Sequence, residues 1–471
     1  MKPFIKEHNR IRKIFVDGKP FFVAGIQFDF RNCCKIEDFD WLFPYVVKLG
    51  CNTLFFPLQW KVIEKEEGRL DFSILEHVIK RCKENNLKLS LLWFGTNQGG
   101  TFNPAPLWMK EDVNRFRRQK DKNNSLQDSF CLNNPYLANF EKSRFEETLK
   151  FLAENDKDLS TVILIQIQNE LCISMSHSSK DNTSIHEIWQ ERCYCNECEK
   201  DFLKSNLSSW NYGLKTVTDY LNILLKNQKE IFPALTYLNW PVNPLRPGED
   251  IDWFLDNCPY IDFVAPDYYG FSMSDFMFTL NFFKRKRNLL FIAEHSTESV
   301  GCADKNLYLA IGYGCTGFDP WALDCSFGWR AWKDKFSERP FVDRDGTLTE
   351  TAQRLLRCQN SLMAVLRDVA IAQGSEDFLF YVADTPSRKI EEKRWNIHWI
   401  IHTGPQGKWI ICRTENGNIA IAGDDAFIKA ETIDEKNSLE LILSLNGKSI
   451  KKGAAVEFAL EDGMSFFLKL E

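Results

Sequence analysis

Residues 161–170 read TVILIQIQNE, and residues 289–295 read LLFIAEH. Each is a largely apolar run that stops at a glutamate, Glu170 in the first and Glu294 in the second. Neither run alternates strictly between apolar and polar residues, which is the pattern of parallel strands buried on both faces. Working outward, similar runs recur at Phe21–Phe28, Thr53–Leu58, Leu87–Phe94, Leu235–Asn239, Ile261–Ala265 and Cys315–Asp319. Segments with helical periodicity, such as Asp38–Lys48, Ile74–Asn85, Tyr136–Glu154, Phe276–Arg285 and Leu348–Ala370, separate many of them. Eight strands, each followed by a helix or an insertion, is the count of a (β/α)8 TIM barrel. An open doubly wound sheet would need a glycine-rich phosphate loop after its first strand, and none is present.

After about Ala372 the pattern changes. Short runs (FLFYVAD, WNIHWIIH, KWIICRT, NIAIAG, LELILSL, AAVEFAL, MSFFLKL) are separated by turn residues, including Asn-Gly at 416–417 and 446–447. The chain therefore divides into an α/β catalytic barrel over 1–370, with an insertion around 131–198, and a C-terminal antiparallel β-domain over 371–471 that reads as sandwich-like. Such a domain covers the barrel or shapes a dimer, so a homo-oligomer is allowed.

Composition narrows the function classes. With 59 basic and 65 acidic residues the net charge is −6, which gives no basic surface for nucleic acid. No stretch of about 18 apolar residues occurs, so no membrane partner or span is expected. The first fifteen residues lack an apolar signal run, and the 15 cysteines are an odd number scattered through strands and helices. A reducing, cytoplasmic location is therefore expected. On that basis the sequons at Asn123, Asn182 and Asn206 are set aside. No G-x-S-x-G elbow is present for Ser/His/Asp hydrolysis.

In a barrel the active site lies at the C-terminal strand ends. Strand four ends in Gln168-Asn169-Glu170 and strand seven in Glu294-His295, and these are the only ends with a glutamate directly after the run. Strands four and seven lie on opposite sides of the barrel, so the two carboxylates face each other. A retaining glycosidase needs such a pair, roughly 5–5.5 Å apart, one as nucleophile and one as acid and then base. Trp93, Asn97, Trp240 and Trp321 are candidates to orient a sugar from the rim. Asp267, Asp319 and Glu298 are further acidic groups near strand ends, either sugar ligands or a competing nucleophile. His295 reads equally as packing residue or ligand, and Cys33-Cys34 as ordinary thiols.

These residues carry a resemblance. Asn169-Glu170 and Glu294, together with Leu49-Gly50-Cys51-Asn52-Thr53, Trp60, Glu67-Gly68-Arg69-Leu70-Asp71-Phe72 and the closing stretch Gly314–Trp321, are similar to clan A glycoside hydrolases, nearest β-galactosidase families 42 and 35. The similarity spans about residues 10–330. It implies a retaining β-glycosidase, most nearly a β-galactosidase, acting on an oligosaccharide or glycoside. Glu170 would be its acid/base, Glu294 its nucleophile and Asn169 the binder of the sugar 2-hydroxyl, with Tyr268 or Tyr269 touching the nucleophile. One departure stands out: strand two ends Leu58-Gln59-Trp60, without the arginine of family 42. A β-glucosidase or β-mannosidase of the same clan, or a sugar-binding barrel without turnover, are the alternatives.

A second constellation is metallic. Cys193, Cys195 and Cys198 form a C-x-C-x2-C cluster in the insertion after strand four. Three thiolates this close suit tetrahedral Zn2+, which needs a fourth ligand, and Cys131 and His186 are the candidates. Family 42 enzymes that bind zinc have a similar cysteine before an N-x-P segment, so the resemblance points to Cys131. Four thiolates leave no open position for water, so the Zn2+ is expected to be structural.

Overall fold

The computed structural model describes residues 2–30, 33–99, 103–171, 191–241, 249–270, 272–296, 303–321, 323–324, 341–343, 345–384, 386–434, 436–461 and 463–471. Eight parallel strands close into a barrel in sequence order: Val23–Gln27, Thr53–Gln59, Lys88–Gln98, Val162–Asn169, Leu235–Pro241, Phe263–Tyr268, Ile292–Ser296 and Gly317–Trp321. The eighth pairs back onto the first, Gly317 beside Val23 and Phe318 beside Ala24. A closed barrel leaves no unpaired strand edge.

Side-chain direction divides the barrel into two levels. At the lower level Phe55, Leu92, Leu164, Tyr237, Phe263 and Phe291 fill the interior as one buried cluster. Tyr237 and Phe263 stack with centroids 5.1 Å apart, and Phe263 and Phe291 lie 5.3 Å apart. At the upper, C-terminal level the inward side chains turn polar: Gln27, Gln166, Asn239, Asp267, Glu294. An apolar floor beneath a polar mouth is what fixes the site at one end.

The lower end is closed by an element that the sequence reading leaves out. Phe4–His8, Ile11–Val16 and Lys19–Pro20 form a three-stranded antiparallel sheet. Its Ile14 and Val16 join the interior cluster. Lys13, buried in the same sheet, donates to the carbonyls of Ala370 and Gln373, each at 2.7 Å. A cation there matches the negative end of the helix Leu366–Ala372, even though burial pulls its pKa down to about 8.

Two strand boundaries differ from those read in the sequence. The seventh strand is laddered over Ile292–Ser296 rather than Leu289–Ala293, because Leu289–Phe291 are buried entry residues outside the ladder. Glu294 therefore sits within its strand, not just past it. The third strand continues to Gln98, four residues beyond the expected end.

The C-terminal region is one antiparallel sheet whose two long strands, Ile397–Arg413 and Ile419–Thr432, pair along their length with an irregularity between Thr403 and Lys408. On one side of it Arg388–Arg394 and Ala455–Leu460 flank the pair; on the other Phe378–Val382 and Ser465–Leu470 do. The two halves share one core that includes Trp399, Trp409, Ile421 and Leu441. Where the sequence suggests a sandwich-like domain, the structure has a single sheet that changes partners midway along its long strands.

This sheet is fixed to the barrel's outer helices. Lys408 is fully buried, and its ammonium lies 2.9 Å from Asp304 on the helix Ala303–Tyr313 and 3.3 Å from Asp424. Ser361 receives the Gly423 N–H at 2.9 Å and donates to the Met464 carbonyl at 2.8 Å. Among the described residues no helix is long and apolar enough to cross a membrane.

Removing one partner of a buried ion pair leaves the others uncompensated. Lys408→Met should lower the unfolding free energy by roughly 3–5 kcal/mol, measured by urea denaturation. A loss within about 0.5 kcal/mol, the usual range for surface substitutions, would mean that the pair does not hold the sheet to the barrel.

Candidate active site

At the C-terminal mouth, Gln27, Phe30, Phe94, Gln98, Asn169, Glu170, Tyr269, Glu294 and Trp321 enclose a cavity of about 230 Å3. This lies below the roughly 300–1,000 Å3 of pockets that hold drug-sized ligands, so these residues suit a single sugar ring. Trp321 and Tyr269 form its aromatic wall, with ring centroids 6.3 Å apart in an edge-on arrangement.

Three carboxyl groups meet at its base. One oxygen each of Glu170, Asp267 and Glu294 lies within 4.8 Å of the others. Asp267 and Glu294 are register partners on neighbouring strands, which sets them side by side. Glu294 is held at both oxygens: the Tyr269 hydroxyl donates to Oε2 at 2.5 Å and Gln27 Nε2 to Oε1 at 3.3 Å. Burial pushes the Glu170 carboxyl up to about 6, against a hydrogen bond with Asp267 that pulls it down. Burial, and then the charges of Glu294 and Glu170, push Asp267 far above the usual carboxylate range. A hydrogen bond between two carboxyls requires a proton, and these shifts place it on Asp267.

Asn239 connects the strands. Its Nδ2 donates to Asn169 Oδ1 and to Asp267 Oδ2, each at 2.9 Å, and its Oδ1 accepts the Glu170 N–H at 3.0 Å. Asn239 and Gln27 are missed by a search confined to glutamates at strand ends. The signal was available, since both lie at the polar ends of apolar runs on strands five and one.

The way strand four presents its residues depends on an irregularity. Simple alternation would send Asn169 and Glu170 to opposite faces, yet both line the cavity. Gln168 and Glu170 have φ of 61° and 45°, the left-handed region. Pairing with strand three breaks there, between Trp93/Ile167 and Gln98/Asn169. Bulges of this kind re-aim side chains at active sites, and each left-handed residue costs roughly 1–3 kcal/mol.

Several expected residues lie elsewhere. Trp93 is fully buried on the outer face of the barrel, packed on Phe145 and donating to Glu141 at 2.7 Å. Trp240 packs edge-on against Phe254 and donates to Asp250 at 3.0 Å. Asn97 is buried and exchanges hydrogen bonds with the Phe130 backbone at 2.9 and 3.0 Å, so its amide is occupied by the loop leading to Cys131. Tyr268 points outward, donates to the Ser272 carbonyl at 2.7 Å and packs on Phe276. Of the two tyrosines, Tyr269 is the one that touches Glu294. Gln59 donates to the Phe30 carbonyl at 2.5 Å and does not line the cavity. Asp319 is fully buried and does not line it either; burial, and then the charge of Glu294, push its pKa well above the usual carboxylate range. His295 is a packing residue, fully buried among Tyr268, Phe276 and Phe318. Glu298 and His186 lie outside the described residues.

The structure brings Cys131, Cys193, Cys195 and Cys198 together, with one Sγ each within 4.8 Å of the others. Cys131 Sγ lies 3.7 Å from Cys195 Sγ and 3.5 Å from Cys198 Sγ. Zn–S bonds of about 2.3 Å at tetrahedral angles put sulfurs about 3.8 Å apart, so the donor set fits Zn2+ in size and chemistry. Arg117 Nη2 donates to Cys131 Sγ at 3.6 Å, a cation beside the sulfurs that favours their thiolate form.

A family model described as β-galactosidase, glycoside hydrolase family 42, matches residues 44–222. The chain resembles clan A glycoside hydrolases of this type. Among solved structures it is similar to the cold-adapted β-galactosidase of Rahnella sp. R3, with TM-score 0.56 and 16% identity over 75% of this chain and 58% of that one. The chain thus spans little more than half the length of the Rahnella enzyme. It is similar also to a β-galactosidase from Bacillus circulans sp. alkalophilus, with TM-score 0.56 and 10% identity over 96% of this chain and 99% of that one. An exo-β-1,4-mannosidase from Opitutaceae bacterium strain TAV5 aligns with TM-score 0.51 and 15% identity over 78% of this chain and 63% of that one. At these identities the likeness shows the fold. Comparison with curated protein sequences gives no match.

The raised pKa of Glu170 is directly measurable. A Glu170 side-chain carboxyl resonance should titrate near pH 6, protonated below and ionised above, and should be missing from Glu170→Gln. A midpoint near the ordinary glutamate value of about 4.3 would mean that burial does not control this group.

Proposed function

We propose that this chain is a retaining exo-β-glycosidase, β-galactosidase-like, in which Glu294 is the nucleophile and Glu170 the acid/base. The observation that carries this reading is the close approach of the two carboxyls across the cavity, within 4.8 Å. So close an approach of the nearest oxygens is compatible with the roughly 5–5.5 Å carboxyl separation of retaining enzymes.

In the first step a Glu294 oxygen attacks the anomeric carbon, the bond to the aglycone oxygen breaks, and the Glu170 proton passes to that oxygen. In the second, Glu170 takes a proton from water, the water oxygen attacks the anomeric carbon, and Glu294 leaves as carboxylate. The Tyr269 and Gln27 donors hold Glu294 in one orientation for attack. A carboxyl raised to about 6 suits a group that must give and then take a proton near neutrality. Asn169 faces the same cavity, as a ligand of the sugar 2-hydroxyl must. Trp321 supplies a stacking face.

A β-mannosidase is the second reading. It is favoured by the likeness to the exo-mannosidase barrel and by Gln59, which lies outside the cavity where family 42 carries arginine. A panel of aryl glycosides separates the two.

Zn2+ bound by Cys131, Cys193, Cys195 and Cys198 would be a structural ion in this scheme. It would tie the loop before the helix Pro135–Asn155 to the start of the helix Asn196–Ser205, and it takes no part in either step.

Two outcomes test these assignments. Glu170→Ala should lose on the order of 100-fold or more in kcat on a disaccharide but far less on an activated aryl glycoside. Azide should restore its turnover as a β-glycosyl azide. Equal losses on both substrates with no response to azide would remove Glu170 from the role. Purified protein should also carry one zinc per chain with four sulfurs at about 2.3 Å by X-ray absorption, and Cys195→Ser should lower stability more than turnover. Protein prepared without chelators that contains no zinc would refute the metal assignment.

A further inference from the structure

Glu141 lies two turns into the helix Pro135–Asn155, outside the cavity and fully buried. A carboxylate so placed needs donors at both oxygens, and it has them. Oε1 accepts from Trp93 Nε1 at 2.7 Å and from Gln168 Nε2; Oε2 accepts from the hydroxyls of Thr96 and Tyr220. Gly95 leaves the space, since a Cβ there would collide with Glu141 Oε1. These donors come from strand three, from strand four and from the helix Ser209–Leu225.

Gln168 is the important partner. It is the left-handed residue at which strand four leaves its alternation, and its side chain points out to Glu141 instead of into the barrel. Its Oε1 accepts the Gly95 N–H at 3.2 Å, and its carbonyl accepts Gln166 Nε2 at 3.0 Å. With Gln168 turned outward, the next two residues, Asn169 and Glu170, both face the cavity. A left-handed glutamine is unfavourable unless its surroundings hold it, and Glu141 is the acceptor on the outer side.

We propose that Glu141 is the positioning residue for the acid/base: by capturing Gln168 behind the barrel it holds the bulge that aims Asn169 and Glu170 at the sugar. This inference rests on the glycosidase reading for its catalytic consequence, but not for its structural one.

Three proteins test it: wild type, Glu141→Gln and Gln168→Ala. The second variant leaves Glu141 its other three donors and removes the link together with the acceptor of the Gly95 N–H, so it guards against misfolding of the first. Crystal structures of the variants should show the Glu170 carboxyl withdrawn from Glu294, so that their nearest oxygens no longer lie within 4.8 Å. Kinetically, each should lose at least about tenfold in kcat on a disaccharide, with a much smaller loss on an activated aryl glycoside. KM on the activated substrate should be nearly unchanged. A merely structural role would lower both substrates alike. Folded variants with Glu170 in its wild-type place, or with equal losses on both substrates, overturn the proposal. Wild-type protein that turns over no glycoside would instead overturn the functional reading, and the crystallographic arm would still decide the role of Glu141.

Discussion

Three carboxyl groups within 4.8 Å of one another, largely shielded from water, are the constraint on which this structure turns. Two unit charges at that distance repel by roughly 3 kcal/mol at an effective dielectric constant near 20. Three full charges are therefore unaffordable, and at least one proton must stay in the cluster. The protein distributes it unequally. Tyr269 and Gln27 donate to Glu294, which favours its charged form. Asp267 faces Glu170 and accepts from the Asn239 amide, and burial pushes it towards its neutral form. Glu170 falls between them, poised to change state.

Such a cluster is tolerable only on a rigid base. The aromatic layer of Tyr237, Phe263 and Phe291 lies directly below it, and the N-terminal sheet seals the far end with Ile14 and Val16. Parallel strands fix backbone positions to their register, as the direct pairing of Asp267 with Glu294 illustrates. Loop residues could not hold like charges this close without moving apart.

The barrel was legible because its strands are buried on both faces, so each appears as an uninterrupted apolar run whatever its partners. Glu170 and Glu294 were legible because each interrupts such a run. The four cysteines were legible by spacing and resemblance, and the structure brings them together. What could not be read was direction. Trp240 lies near the end of its strand and Trp93 in the middle of the longer third strand, and both side chains turn into the helical layer. Tyr268 and Tyr269 are chemically equivalent in sequence; with Asp267 facing in, alternation along strand six turns Tyr268 out and Tyr269 in. The N-terminal sheet was readable in part: Asp17-Gly18, with φ of 51° and 78°, is a hairpin turn signal between two β-prone segments.

The departure from regular geometry at strand four links parts of the molecule that are far apart in sequence. Cys131 lies at the end of the loop whose Asn134 caps the helix Pro135–Asn155 by accepting the Leu137 N–H at 3.4 Å. The same helix carries Glu141, which binds Tyr220 on the helix Ser209–Leu225, and Tyr212 on that second helix packs against the cysteine cluster. The two helices are thus joined directly by a buried carboxyl and indirectly through the cysteine cluster, which Tyr212 of the second helix packs against and which Cys131 joins from the loop before the first; from the carboxyl the contact passes through Gln168 to Glu170. Each link is a short-range packing or hydrogen-bond contact that fixes position. A shift of the first helix along its axis would move Glu141 and, through Gln168, the bulge. In this arrangement the insertion that interrupts the barrel after strand four also supports the residue that strand four delivers.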